Sequence, residues 1–516
     1  MSQFTVSSPD GAVCSVDHHA SAAGVSMLRA GGNAVDAAIA TSAALAVTTQ
    51  HMCGLGGDLF ALVHHGPATP DCLNASGRAG SGADPDGLRA EGATTMPFRD
   101  DIRSVPVPGC VDGWSALHAR HGRLPFADVL APAIALAAEG FDVPAHLARS
   151  ARRVADVPGA EDYRDLAAGG RLVRSAVAEG LRTIATEGRD GWYRGAFGDG
   201  LIALGDGLYG PEDLERNQAD WVDPLGLDLW GHRVWTVPPN SQGYLSLLAA
   251  GILQGVDLGD PESAQWAHLH IEAARLAGHD RPDVLSDTAD GEGLLDPALI
   301  ADRRARLDPE RAVDVGGSYG DGGTIYLCTT DRDGMGVSLI QSNASGFGAH
   351  IVVPGTGVFL HNRGLGFNLI DGHPAEFRAG RRPPHTLSPA LVTHPDGSLR
   401  TVLGTMGGDA QPQIVLQMLS RLLEAGVSAG EVVARPRWVL ESRESDGFNT
   451  WAEPDAVIVI AEPEGASWVD GLRARGHDAV AQPVNAGHAH LIDIDATGVH
   501  HGAAETRIDT AAALSP

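Results

Sequence analysis

A chain of 516 residues is long enough for two ordinary domains or one large layered α/β body. It sets 37 Lys and Arg against 65 Asp and Glu, a formal net charge of -28 with no basic stripe, which argues against nucleic acid and anionic membrane as partners. Its five cysteines, Cys14, Cys53, Cys72, Cys110 and Cys328, are scattered and never form a C-x-x-C pair, so buried thiols are expected rather than a disulfide framework or a zinc knuckle.

The first residues, MSQFTVSSPDGAVCSVDHH, lack a basic segment followed by an apolar one, and no run of about 18 apolar residues follows. A soluble, cytoplasmic protein is expected. Residues 17–50 are Ala-rich with helical spacing broken at Gly31 and Gly32, which predicts helix, turn, helix. The second of these is apolar on most sides and belongs inside a body. Residues 124–140 and 262–277 read as further helices. Residues 285–321 are polar, charged and Gly-rich, the composition of an exposed segment. From Thr324 the texture changes to short strands, TIYLCTTD, GVSLIQSN and GVFLHN, separated by Gly-containing turns. Residues 412–425 return to helix, and the last sixty residues read as strand, helix, strand.

The stretch GDGGTIYLCTTD places Gly322, Gly323 and Thr324 directly before an alternating strand. A glycine pair there is by itself a turn. A threonine hydroxyl is a weak nucleophile unless a base adjoins it, and an N-terminal threonine carries its own in the α-amine, with an ordinary pKa of about 7.7 to 8.0. Thr324 becomes N-terminal if its Oγ attacks the Gly323 carbonyl in an N-to-O acyl shift, which the glycine favours by tolerating unusual backbone geometry. The polar segment ahead then becomes a freed tail.

Several blocks resemble the γ-glutamyltranspeptidase family of N-terminal nucleophile hydrolases. They are GGNAVDAAIATSAALAVTTQHMCGLGGDLFALV, VPVPGCVDGWSALHARHGRLPFADVLAPAIALAAEGF, TVPPNSQGYLSLLAAGIL, TIYLCTTDRDGMGVSLIQSN, GVFLHNRG, HTLSPALV and LGTMGGDAQPQIVLQML, in the family's order over nearly the whole chain. The resemblance implies a four-layer αββα sandwich, made as one precursor that cuts itself between Gly323 and Thr324. The pieces are a helix-rich large subunit, 1–323, and a strand-rich small subunit, 324–516, intertwined in one body that can pair as a dimer of heterodimers. Thr324 is then both processing and catalytic nucleophile, and Gly407 and Gly408 supply the oxyanion-hole N–H groups. Arg78 corresponds to the arginine that grips the donor's α-carboxylate, and Asn343 to a contact with its amino-acid end. The partners implied are a small-molecule acyl donor and a water or amine acceptor, with no metal and no cofactor.

The chain departs from the family's γ-glutamyl pocket. In LHNRGLGFN, Arg363 stands where the family has a glutamine and Gly366 where it has the aspartate that holds the substrate ammonium. In PPHTLSP, His385 and Thr386 stand where it has two serines. An ammonium bound there loses its charged partner, and Arg363 adds positive charge. Both changes favour a donor whose far end is anionic or uncharged, as in relatives similar to cephalosporin acylases. Members that act in secondary metabolism, some by breaking carbon–carbon bonds, are the alternative.

Three other readings compete. GVSAG, Gly426 to Gly430, matches the G-x-S-x-G elbow of serine hydrolases, but a helical pattern precedes it where the elbow needs a strand. The pairs His268/His270 and His488/His490 have metal-ligand spacing on a strand, yet the first lies in a helical pattern and neither has a supporting carboxylate or cysteine run. A non-catalytic binding protein on the same fold is set against the retained Thr324, Gly407 and Gly408.

Overall fold

In the computed structural model, which describes residues 3–313, 324–442, 457–484 and 486–516, the Ala-rich start forms its two helices. Asp17 caps His18–Arg29 by accepting the His19 and Ala20 N–H groups. Asn33 and Asp36 make a capping box on Ala34–Thr48, and Gly31 turns the chain between the helices at φ 88°. Every residue of Ala34–Thr48 is buried, because its small side chains let it lie against other elements on all sides.

Two seven-stranded sheets carry the body. The first runs in the order Ala512–Leu514, Gly11–Ser15, Ile325–Asp331, Gly336–Ser342, Asp58–His64, Asp71–Ala75, Asp220–Val222, antiparallel throughout. The second runs Thr5–Ser8, His500–Ala503, Ala489–Ile494, Leu399–Thr405, Ala390–Thr393, His232–Thr236, Leu225–Leu229, also antiparallel. They stack face to face. Ser338 Oγ donates to the Leu403 carbonyl at 3.4 Å, and a Cβ on Gly404 would stand 2.5 Å from the Tyr326 ring. Helices His18–Arg29, Ala34–Thr48 and Cys110–His121 cover the outer face of the first sheet, and Tyr244–Leu253, Gln411–Leu419 and Ala429–Ala434 that of the second. The result is a four-layer αββα sandwich with one apolar cluster under each helical layer. Both sheets mix strands from either side of position 324.

Three local expectations need correction. The polar stretch ahead of Thr324 is not a bare tail as far as Val313, because it contains the helix Pro297–Ala305, whose Ile300 and Arg303 are buried. Asp296 caps that helix, and Arg303 donates to the Leu276 and Ala277 carbonyls, so a charged sequence is held by its own hydrogen bonds. Residues 314–323, including Gly323, lie outside the described residues. Among the described residues of the last sixty, one α-helix, Val469–Ala474, stands among five strands, because the chain pairs more short runs into sheets than the strand, helix, strand expected. GVFLHN supplies only the two-residue strand Val358–Phe359.

Gln411–Leu419 runs into a π turn, Ser420–Glu424, before GVSAG, so Ser428 follows a helical segment and its Oγ bonds Glu431 at 2.6 Å. His268 and His270 lie on the helix Ala264–Gly278 and turn to different partners, His477 and the Trp266 carbonyl. His490 is buried in the strand Ala489–Ile494, and His488, just before that strand, is partly buried. Among the described residues no group of three His, Cys, Asp or Glu side chains stands ready to hold a metal ion. No described helix is long and apolar enough to cross a membrane. All five cysteines are buried and free.

Candidate active site

Thr324 stands one residue before the strand Ile325–Asp331, in the middle of the first sheet, with 1% of its surface exposed. The register that pairs Ile325 with Gln341 puts it beside Ser342, and the two hydroxyls lie 3.1 Å apart. Ser342 Oγ also accepts the Ala344 N–H at 2.8 Å. Ser342 in turn pairs across the sheet with Asp58. Three neighbouring strands thus carry a polar row, Thr324, Ser342, Asp58, on the face that looks toward the second sheet.

The second sheet delivers its glycine pair to the same end. Leu399–Thr405 runs alongside Gly336–Ser342, with Gly336 against Leu399 and Val402 and Ser338 against Leu403, so its exit at Gly407 meets the Ser342 end. Gly407 has φ 139° and ψ 21° and Gly408 φ 53°, conformations that a side chain would strain, and they turn the chain from strand into the helix Gln411–Leu419. Gln242 fixes this turn by donating Nε2 to the Gly408 carbonyl at 3.0 Å and to the Thr386 carbonyl at 3.3 Å.

Thr386 and His385 form the adjoining wall. Arg363, 2% exposed, donates to Thr386 Oγ1 at 3.3 Å. Burial pushes its guanidinium down to about 10, Asp409 and Asp58 pulling upward and Arg281 adding to the fall. Arg281 itself reaches Asp409, the residue after the glycine pair, at 3.4 Å. A Cβ on Gly366 would lie 2.3 Å from the Pro384 carbonyl oxygen, so no aspartate fits there without a backbone shift.

Asp58 holds the wall to the sheet. It accepts the Gly77 N–H at 2.8 Å and His385 Nε2–H at 3.0 Å, with His361 Nδ1 3.4 Å away. Burial alone would raise its pKa, but His361, the His385 bond and the Gly77 bond together hold it below the ordinary carboxylate value. His385 is pushed down to about 4 by burial, against the pull of Asp58, and is neutral.

Bonds and register therefore gather Thr324, Gly366, His385, Thr386, Arg363, Gly407 and Gly408. Asn343 follows Ser342, is buried, and donates Nδ2 to the Gln50 carbonyl at 3.1 Å. Arg78 reaches the cluster through its backbone neighbour Gly77, but its guanidinium is held by Asp220 at 2.5 Å and by Gln218 Oε1 at 3.3 Å. Arg382 shares Asp220 at 2.8 Å. A donor carboxylate at Arg78 has to share that guanidinium with Asp220. Sequence reasoning missed Ser342, Asp58, His361, Gln242 and Arg382. The GLGGD block and the position of Ser342, opposite Thr324 across one hairpin, were the available signals.

A family model described as Gamma-glutamyltranspeptidase matches residues 20–515. The chain belongs to that family. Among curated members it is 33% identical to the glutathione hydrolase-like YwrD proenzyme of Bacillus subtilis, covering 97% of both chains. It is 34% identical to the oxamate amidohydrolase proenzyme of Klebsiella pneumoniae subsp. pneumoniae, over 96% of this chain and 97% of the other. Among solved structures, cephalosporin acylase from Bacillus halodurans superposes with a TM-score of 0.90 at 32% identity, covering 100% of this chain and 97% of that one. The γ-glutamyltranspeptidase family comprises hydrolases and acyltransferases, and the αββα sandwich is the N-terminal nucleophile hydrolase fold of these relatives.

Proposed function

We propose that the protein is a self-cleaving amidohydrolase or acyltransferase whose nucleophile is Thr324. The observation that carries this reading is the 3.1 Å approach of Thr324 Oγ1 to Ser342 Oγ at the end of the sandwich where Gly407 and Gly408 turn. Proenzyme naming of the relatives supports a precursor. In processing, Thr324 Oγ attacks the Gly323 carbonyl carbon, the peptide C–N bond breaks as the ester forms and frees the α-amine, which takes the hydroxyl proton, and water then hydrolyses the ester to release the Gly323 carboxylate and restore the Thr324 hydroxyl. That amine then takes the Oγ proton as Oγ attacks the donor carbonyl. The N–H groups of Gly407 and Gly408 receive the developing oxyanion, and the leaving amine departs with the proton. Water or an amine releases the acyl group.

The donor is an amide of a short carboxylic acid that bears a second carboxylate and lacks an ammonium where γ-glutamyl groups carry one. Arg363 at the wall and the close approach of Gly366 to Pro384 support this. Replacing Thr324 with alanine tests the whole scheme. The variant is expected to remain one chain of full mass and to be inactive on every donor. Cleavage of that variant at the same bond transfers processing to another protease, and activity in it removes Thr324 from the chemistry. Full activity of the processed enzyme after exhaustive chelation is expected, and loss restored by zinc overturns the assignment.

A further inference from the structure

The wall and the strand behind it hold a group of buried ionisable side chains that the scheme above does not use. His385 Nδ1 accepts the Leu387 N–H at 3.3 Å, so its Nε2 carries the hydrogen that goes to Asp58 Oδ2. His361 Nε2 lies 2.9 Å from the Pro106 carbonyl oxygen, which only accepts, so this nitrogen too carries a hydrogen. His361 Nδ1 then faces Asp58 Oδ2 at 3.4 Å and has no hydrogen bond among the described residues. An unprotonated ring nitrogen beside a buried carboxylate is repulsive, whereas a proton on that nitrogen turns the contact into an ion pair. The other charges bearing on the carboxylate are the Arg363 and Arg382 guanidinium groups. The two histidines come from the loops that carry Arg363 and Thr386, and those loops touch where Gly366 meets Pro384. Asp58 begins the strand beside Ser342.

We propose that Asp58, His361 and His385 form a positioning cluster in which a proton shared by Asp58 and His361 pins the loops of Arg363 and Thr386 to the strand beside Ser342. In this role the three act through Arg363 and not on the donor's reacting atoms. Their effect is on where Arg363 stands relative to the nucleophile. This rests on the proposed function only in taking Arg363 to face the donor carboxylate.

The protonation is tested without activity. Nitrogen NMR of histidine-labelled protein at neutral pH, with His361 and His385 assigned from His361→Gln and His385→Gln, is expected to show both His361 nitrogens protonated. His385 is expected to be protonated at Nε2 only, and Asp58→Asn is expected to remove the His361 Nδ1 proton. A neutral His361 in the unaltered protein overturns the proposal, whatever the enzyme does. The positioning is tested by kinetics on a carboxylate donor and its methyl ester. Asp58→Asn is expected to process fully and to lose about tenfold or more in kcat/KM for the acid, mainly through KM. The ester is expected to change less than about threefold. Equal losses on both donors, or no loss on either, overturn the role. His361→Asn and His361→Gln guard against misfolding of the aspartate variant. Asparagine keeps a donor toward Asp58 and is expected to retain more acid preference than glutamine, which keeps only the bond to Pro106. The reverse order overturns the cluster.

Discussion

Val313 donates its backbone N–H to Glu272 Oε2 at 2.6 Å, and Glu272 is itself buried and paired with Arg275 at 2.7 Å. Nearby, Ala312 donates to the Arg475 carbonyl at 2.7 Å, and His268 Nε2 bonds the Asp308 carbonyl at 2.8 Å. The chain is therefore clamped ten residues short of Gly323. A cut at Gly323 leaves this clamp in place. Hydrogen exchange at Ala312 and Val313 is expected to be slow in both the Thr324→Ala precursor and the processed protein, and to rise in Glu272→Ala. Fast exchange in the processed protein alone would mean that cleavage releases the clamp.

Ser342 Oγ lies 3.1 Å from Thr324 Oγ1 and accepts the Ala344 N–H. At that distance its hydroxyl can steady the attacking oxygen. Ser342→Ala is expected to lower kcat and the self-cleavage rate by about 10- to 100-fold, a hydrogen bond to a charged group being worth about 1.5 to 3 kcal/mol. Ser342→Thr is expected to keep most of both rates. Mass measurement over time follows the cleavage, and an alanine variant with unchanged rates would remove Ser342 from the chemistry.

The helix pair parted at Gly31 and Gly32 and the strand after Thr324 were legible in the sequence, because each is set by residues within a few positions. Asp58, Ser342 and His385 were not legible as a group. They meet through sheet register and through loops far apart in sequence, and no local pattern encodes which strand neighbours which. The helix Pro297–Ala305 was hidden for a different reason. Its polar composition resembles linker, and the carbonyls that receive Arg303 appear only in three dimensions.

The pH dependence of activity follows from the same site. If the α-amine of Thr324 is the base, its protonation stops the reaction, so rate falls on the acid side with a midpoint at that amine's pKa. The buried charge of Arg363 disfavours a second cation nearby and moves the midpoint down. Arg363→Gln is expected to move the acid limb of the kcat/KM profile to higher pH. An unmoved limb places Arg363 away from the amine.

Stability has its own acid limit. His270, His477 and His490 are each pushed down to about 3 and His385 and His488 to about 4, with burial the main cause in every case. In the unfolded chain these rings bind a proton near pH 6.5. Between that pH and the folded values the unfolded state holds more protons, so stability falls as pH drops, by about 1.4 kcal/mol per pH unit for each ring. The melting temperature is expected to be flat from pH 8 to 7 and to fall steeply below about pH 6. His490→Gln is expected to flatten that fall, and an unchanged slope would mean that His490 is charged in the folded protein.

Donor choice is the sharpest test of the wall. A γ-glutamyl group brings an ammonium as well as a carboxylate, and the place where the family keeps an aspartate for it is Gly366, whose Cβ position is closed by the Pro384 carbonyl 2.3 Å away. Arg363 stands beside it, hydrogen-bonded to Thr386 at 3.3 Å, so an ammonium there meets a cation instead of a carboxylate. The nearest anions are already engaged, Asp58 by His385 and Gly77, and Asp409 by Arg281. A glutaryl group brings the same length and a carboxylate without the ammonium. Loss of one charged partner costs about 2 to 5 kcal/mol, which predicts tens to thousands fold between the two donors. Glutaryl p-nitroanilide is therefore expected to exceed γ-glutamyl p-nitroanilide in kcat/KM by about tenfold or more. Arg363→Gln is expected to narrow the gap, because removing the cation removes the repulsion. A γ-glutamyl preference of about tenfold would show that another carboxylate turns into the pocket when the donor binds. Failure of processed enzyme on both anilides would instead favour the carbon–carbon hydrolases of the family as its nearest functional kin.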